Sequence, residues 1–138
     1  MTVEFTQEVS DRLSSDRYGW LTTVAKSGQP VPRLVWFVFD GKELTVYSMS
    51  NAAKVAHIKA HPRVSLNLDS DGNGTGVVAV GGEARIDAVD ADPIADEQYL
   101  AKYAEYAASM GMSKEFLAGF NTRLKVAIDK VWTTPTEG

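Results

Sequence analysis

The stretch Pro32 to Phe39, PRLVWFVF, runs through Asp40-Gly41 into Glu43 to Ser48, ELTVYS. Asp-Gly supplies the positive φ that a tight hairpin needs, and β-branched and aromatic residues flank it on both sides, so the pattern predicts two paired antiparallel strands. Both sides of the first strand are apolar: Val35, Phe37 and Phe39 on one, Leu34, Trp36 and Val38 on the other. A strand that is apolar on both sides must be covered on both. One side can fill a barrel; the other needs a helix, a ligand or a second subunit. A flat sheet with one face in water is excluded.

The other elements fit round that hairpin. Thr6 to Leu13 reads as a short helix capped by Thr6, and Tyr18 to Ala25 as a strand that turns at Lys26 to Gln29. Asn51 to Ala60 is helical, with Ser50 as its cap, and His61-Pro62 stops it. Val64 to Asp69 alternates as a half-buried strand. After a glycine-rich loop, Thr75 to Ile86 is a long strand expected to bulge at Gly81-Gly82. Asp92-Pro93 begins a helix running through Tyr99, Tyr103 and Tyr106 to Met110, a stripe that reads as core or interface. Ser113 to Phe120 is a shorter helix and Leu124 to Trp132 the last strand. Six strands joined mainly by hairpins predict a mainly β protein built as a six-stranded antiparallel barrel, one domain over residues 1–138.

The chemistry that such a chain can carry is narrow. It has no cysteine, which removes thiolate nucleophiles, disulfides and Cys-ligated metals. No Gly-x-Ser-x-Gly elbow is present. His57 and His61 have metal-pair spacing but no evident third ligand, so no metal is expected. Gly72-x-Gly74-x-Gly76 opens a strand instead of a helix and reads as a hairpin loop. A net charge of -4 disfavours nucleic acid as a partner. No apolar run reaches the ~20 residues of a membrane span. The first residues lack the basic start of a secretory signal, so a cytoplasmic location is expected.

Charge is nevertheless segregated. Lys54 to Arg63, KVAHIKAHPR, contains no acid, whereas Asp87, Asp90, Asp92, Asp96 and Glu97 are uninterrupted by a base. The basic run starts at Ser48-Met49-Ser50-Asn51-Ala52-Ala53-Lys54. A helix start offers free N–H groups and the positive end of its dipole. Two serine hydroxyls accompany it, and the Lys54 side chain leans back toward it. Arg33, on the strand paired with the one that delivers Ser48, can add a guanidinium. The reading is either an anion cradle or an ordinary helix start with surface bases.

The run PRLVWFVFDGKELTVYSMSNAAKVAHIKAHPRVSLNL, residues 32–68, resembles the core of the flavin-reductase-like split β-barrel superfamily, typified by pyridoxamine 5'-phosphate oxidase. The shared pattern is an arginine at the start of a strand, an Asp-Gly hairpin, a Ser-x-x-x-Lys helix start and a His-Pro-Arg-Val strand. The likeness is greatest to the deazaflavin branch that uses coenzyme F420, because Ala53 stands where FMN-binding members carry a second base. This resemblance implies a Greek-key split barrel with short peripheral helices, and a homodimer with cofactor sites at its interface. It also implies that Arg33, Ser48, Ser50 and Lys54 hold the cofactor phosphate, that Pro32, Val35 and Trp36 line its ring, and that Met49 and Ala53 lie beside it. The implied activity is hydride transfer from reduced F420 to a small conjugated or quinone-like substrate. FMN is the alternative cofactor, and a non-catalytic cofactor- or ligand-binding protein the alternative role. His57, Lys59, His61 and Arg63 would meet a polyglutamylated cofactor tail.

Overall fold

A computed structural model describes residues 3–134. Helix α1 (Gln7–Ser15) precedes strands β1 (Gly19–Val24), β2 (Pro30–Val35), β3 (Val38–Phe39) and β4 (Glu43–Ser48). Helix α2 (Ala53–Ala60) leads to β5 (Arg63–Asn67) and β6 (Val78–Ala88); α3 (Glu97–Ser109), α4 (Lys114–Ala118) and β7 (Thr122–Thr133) complete the order. All strands belong to one antiparallel sheet, ordered β2-β1-β5-β6-β7-β4-β3. Its two ends, β2 and β3, are consecutive in the chain with only Trp36 and Phe37 between them. The sheet therefore curls until one bent segment bridges its edges.

That bend is why there are seven strands and not six. The continuous apolar run expected to form one strand from Pro32 to Phe39 breaks at Trp36-Phe37 because α3 captures the Phe37 backbone. Phe37 N–H donates to Tyr103 Oη (2.8 Å), and Phe37 C=O accepts from Lys102 Nζ (2.8 Å) and lies 2.7 Å from Tyr103 Oη. Buried peptide groups must find partners, and here side chains replace the ladder. The hairpin itself is as expected, with Gly41 at φ 100° where a side chain would be strained. Pro30 and Pro32 lie on β2, whose only partner is β1, and they blunt that exposed edge.

Alternation places Leu21, Leu44, Val46, Leu66, Val80, Leu124 and Val126 in the barrel interior, which α1 closes with Val9 and Leu13. The register shifts between Gly81 and Gly82, the bulge that the sequence marks. A Cβ at Gly82 would lie 2.0 Å from Ala127 O, so only glycine allows the strands to meet there.

Two helix starts differ from expectation. The long helix expected from Asp92-Pro93 is divided into a 3-10 turn (Pro93–Ala95) and α3. Asp92 caps the first, accepting from Ile94 N–H, and Asp96 the second, accepting from Tyr99 N–H; two successive Asx caps restart the helix. Ser50 does not cap α2: the cap position is Ala52, with no side-chain hydrogen bond, because Ser50 is spent in a turn closed by Ala52 N–H to Met49 C=O (3.1 Å). Among the described residues no helix is long and apolar enough to cross a membrane.

Candidate functional site

The outer side of the bent segment is where the fold builds a cavity. Trp36 leaves the sheet and stacks on Tyr103 of α3, with ring centroids 4.5 Å apart and planes 6° from parallel. Tyr99 and Tyr106 lie 6.5 and 5.6 Å from the same ring. The tyrosine stripe is therefore core, covering Trp36 and Val38, while Leu34 stays 51% exposed. Tyr47 packs edge-on against Tyr99 (4.9 Å) and donates through Oη to Asp96 (2.6 Å). Burial and that carboxylate push the Tyr47 phenol up to about 12, which keeps it neutral at ordinary pH.

The space beside this stack has a volume of about 360 Å³, within the range of small-molecule sites. Most of its lining is apolar: Leu34, Val35, Trp36, Met110, Phe116 and Phe120 are among the residues there, with Tyr18, Tyr99 and Tyr106. One end is different. Ser48, nearly fully buried at the end of β4, and Lys54, half-buried in the first turn of α2, close it. Lys54 Nζ stands 3.5 Å from Ser48 Oγ, at the outer limit of a hydrogen bond, and Ser48 Oγ donates to Met49 C=O (3.0 Å). Burial, and then the positive charge of nearby Arg33, lower the Lys54 pKa below the usual lysine value.

What sets this end apart is the absence of counter-charge. The chain has six arginines. Arg12, Arg63, Arg85 and Arg123 are each paired with a carboxylate, and Arg17 lies over the Tyr106 ring at 3.9 Å. Among the described residues only Arg33 has neither, and the lysine it acts on, Lys54, also lacks a carboxylate partner. Ala53 N–H and Lys54 N–H, at the start of α2, have no acceptor among the described residues. A desolvated cation, a second cation and two open N–H groups together form the chemistry of an anion site.

Of the residues expected from sequence, Val35, Trp36, Ser48 and Lys54 line the cavity, and Arg33 reaches it through its charge. Pro32, Met49, Ser50 and Ala53 are exposed and do not line it. The expected basic surface is also reduced, since Arg63 makes two bonds to Asp129 (2.5 and 2.7 Å). His57 Nδ1 lies 2.8 Å from the buried Thr23 Oγ1, so that imidazole is turned toward the barrel. Sequence reasoning missed Tyr18, Met110, Met112 and Phe116 as cavity residues. The amphipathic signal of the last helices was present, but it does not say which space their exposed apolar residues border.

Comparison with known proteins agrees with this architecture. The family described as pyridoxamine 5'-phosphate oxidase matches residues 5–134. No curated protein matches the sequence. Among solved structures, an F420 reductase is 22% identical, covers 94% of this chain and 98% of its own, and superposes with a TM-score of 0.69. A conserved hypothetical protein from Mycobacterium tuberculosis is 25% identical, with 96% and 86% covered and a TM-score of 0.65. A heme storage protein from Vibrio cholerae, 14% identical with 95% of each chain covered, reaches 0.63.

Proposed function

Because the chain belongs to the pyridoxamine 5'-phosphate oxidase family, we propose that its cavity takes a phosphate-bearing deazaflavin of the coenzyme F420 type. In this reading the protein is an oxidoreductase that reduces a small conjugated or quinone-like substrate. The supporting observation is Lys54, without an acid, closing one end of a mostly apolar cavity, with the exposed Arg33 near enough to act on its charge. Lys54 and Arg33, with the Ala53 and Lys54 N–H groups, hold the phosphate; Trp36, braced from behind by Tyr103, presents a flat apolar wall to the ring. The bound deazaflavin supplies hydride chemistry that no side chain of this cysteine-free protein provides. The apolar lining excludes water from the reacting region, and neutral Tyr47 adds no charge there.

The reading includes a homodimer. Leu34, Trp20, Asn67, Ala79 and Trp132 lie side by side across five strands on the outer face, with Leu34 and Trp132 each 51% and Trp20 37% exposed. An outer row that is apolar at four of its five positions fits a second copy. Leu34 also lines the cavity, so that copy would sit at its rim.

Titration of the protein with F420, and separately with FMN, tests the assignment by cofactor fluorescence. Micromolar binding of F420 is expected; FMN binding alone selects the alternative cofactor, and binding of neither removes both. Lys54→Ala should weaken binding by about 1.5–3 kcal/mol, the worth of a charge-assisted hydrogen bond. An unchanged dissociation constant in that variant rejects the cradle.

A further inference from the structure

Of two half-buried lysines, Lys54 at the end of the cavity and Lys102 under the bent segment, Lys54 is the more weakly held. Its only polar contact is the 3.5 Å approach to Ser48 Oγ, no carboxylate lies within 4.0 Å among the described residues, and its head borders the cavity. Lys102, the other half-buried lysine of note, is bonded to Phe37 C=O and sits 3.9 Å above the Phe37 ring, away from the cavity lining. Lys59, on the same helix as Lys54, is exposed.

We propose that Lys54 is a self-acylation site, taking the acyl group of an acyl phosphate whose phosphoryl end is held by Arg33 and the open N–H groups at the start of α2. The inference rests on the anion-binding reading of this end of the cavity. The Nζ lone pair attacks the acyl carbon, the bond from that carbon to the phosphate oxygen breaks with its electron pair leaving on phosphate, and the surplus amine proton passes to the departing phosphate. No oxidant or reductant takes part. Val35, Trp36 and Leu34 give the acyl chain an apolar surface beside the amine. Burial and the Arg33 charge favour the neutral, nucleophilic form of Lys54, in the way that desolvated lysines are activated. Acylation removes one of the two cations, so it weakens phosphate binding at this end, and a resident anionic cofactor slows the modification.

Brief exposure of the full chain to acetyl phosphate or to acetic anhydride, followed by peptide mass mapping, tests this. With acetyl phosphate, Lys54 should acetylate several-fold faster than the exposed Lys59. The Lys54 to Lys59 preference should be larger with acetyl phosphate than with the anhydride, and inorganic phosphate should suppress it. Equal rates at the two lysines with acetyl phosphate, or the same preference with both reagents, overturns the proposal. If the preference holds but saturating F420 leaves the Lys54 rate unchanged, the self-acylation site stands and the cofactor assignment falls.

Discussion

The barrel interior and the aromatic cluster under α3 are both buried, yet they are built on opposite rules. The interior of Leu13, Leu21, Leu44, Leu66 and Leu124 is hydrocarbon, and its backbone is satisfied by the strand ladder. The cluster of Val38, Tyr47, Tyr99 and Tyr103 carries three phenols, and the Tyr103 hydroxyl and Lys102 do for Phe37 and Arg17 what a ladder would do. The difference teaches where a site can form. A closed ladder leaves no backbone to reshape, whereas a strand released from its ladder turns Trp36 outward and opens a wall for a cavity. The largest expected effect tests the first rule. Leu124→Ala, at 0% exposure, should cost about 2–5 kcal/mol in urea unfolding, as a buried leucine truncation does. It should leave cofactor affinity unchanged at temperatures where the variant is folded. A loss of affinity equal to that of Lys54→Ala would mean that the two regions are not separable.

Tyr103→Phe probes the second rule with the removal of one oxygen. The phenolic group accepts from Phe37 N–H and has one proton to give; Lys102 already serves Phe37 C=O, so that proton is free for Arg17 C=O (2.6 Å). The variant strands Phe37 N–H in a buried setting and takes the donor from Arg17 C=O, at a cost of about 1–3 kcal/mol. The comparison predicts that this smaller destabilisation will do more to ligand binding than Leu124→Ala, because the support behind Trp36 is loosened. Unfolding midpoints and F420 titrations on the same samples check both halves. Should Tyr103→Phe lose stability and keep full affinity, the cluster is ordinary core.

The two regions were also legible to different degrees. Val64, Leu66 and Leu68 alternate, and Asp40-Gly41 marks the hairpin, so the barrel could be read from periodicity and turn chemistry alone. The likeness to the family could be read from Arg33, Asp40-Gly41, the Ser50 to Lys54 helix start and His61-Pro62-Arg63-Val64 in their order. The break at Trp36-Phe37 could not, because nothing from Arg33 to Phe39 is a breaker; its cause is a tyrosine 66 residues further on, and periodicity carries no information about such a partner. The cap of α2 failed for a related reason. Ser50 has the right chemistry for a cap, but the turn from Met49 to Ala52 fixes where the helix starts. The cations were visible as a cluster; that Arg63 is spent on Asp129 and Arg33 is not depends on the sheet register.

The smallest expected effect is in the pH dependence of stability, and it too separates the regions, since the hydrocarbon side chains of the barrel interior carry no titratable group. Burial lowers the Lys102 pKa to about 8, from 10.5. Between these values the unfolded chain binds the proton more tightly, so this contribution to stability is present above about 10.5 and lost as pH falls through 8. Burial raises the Tyr47 and Tyr99 phenols to about 12 and Tyr103 further, which works the other way: their contribution is whole below 10 and disappears as pH rises through the folded values. The sum is a stability that climbs from pH 8 toward 10 and then falls. Lys102 is partly exposed, so solvent weakens the climb, and the descent is the steeper limb. Urea midpoints at pH 7.5, 9.5 and 11 trace the curve. Lys102→Met should flatten the climb and leave the descent in place, while Leu124→Ala should lower the whole curve without changing its shape. A wild-type curve that declines steadily from pH 8 would mean that Lys102 is solvated in the folded protein, and that the bent segment is held by Tyr103 alone.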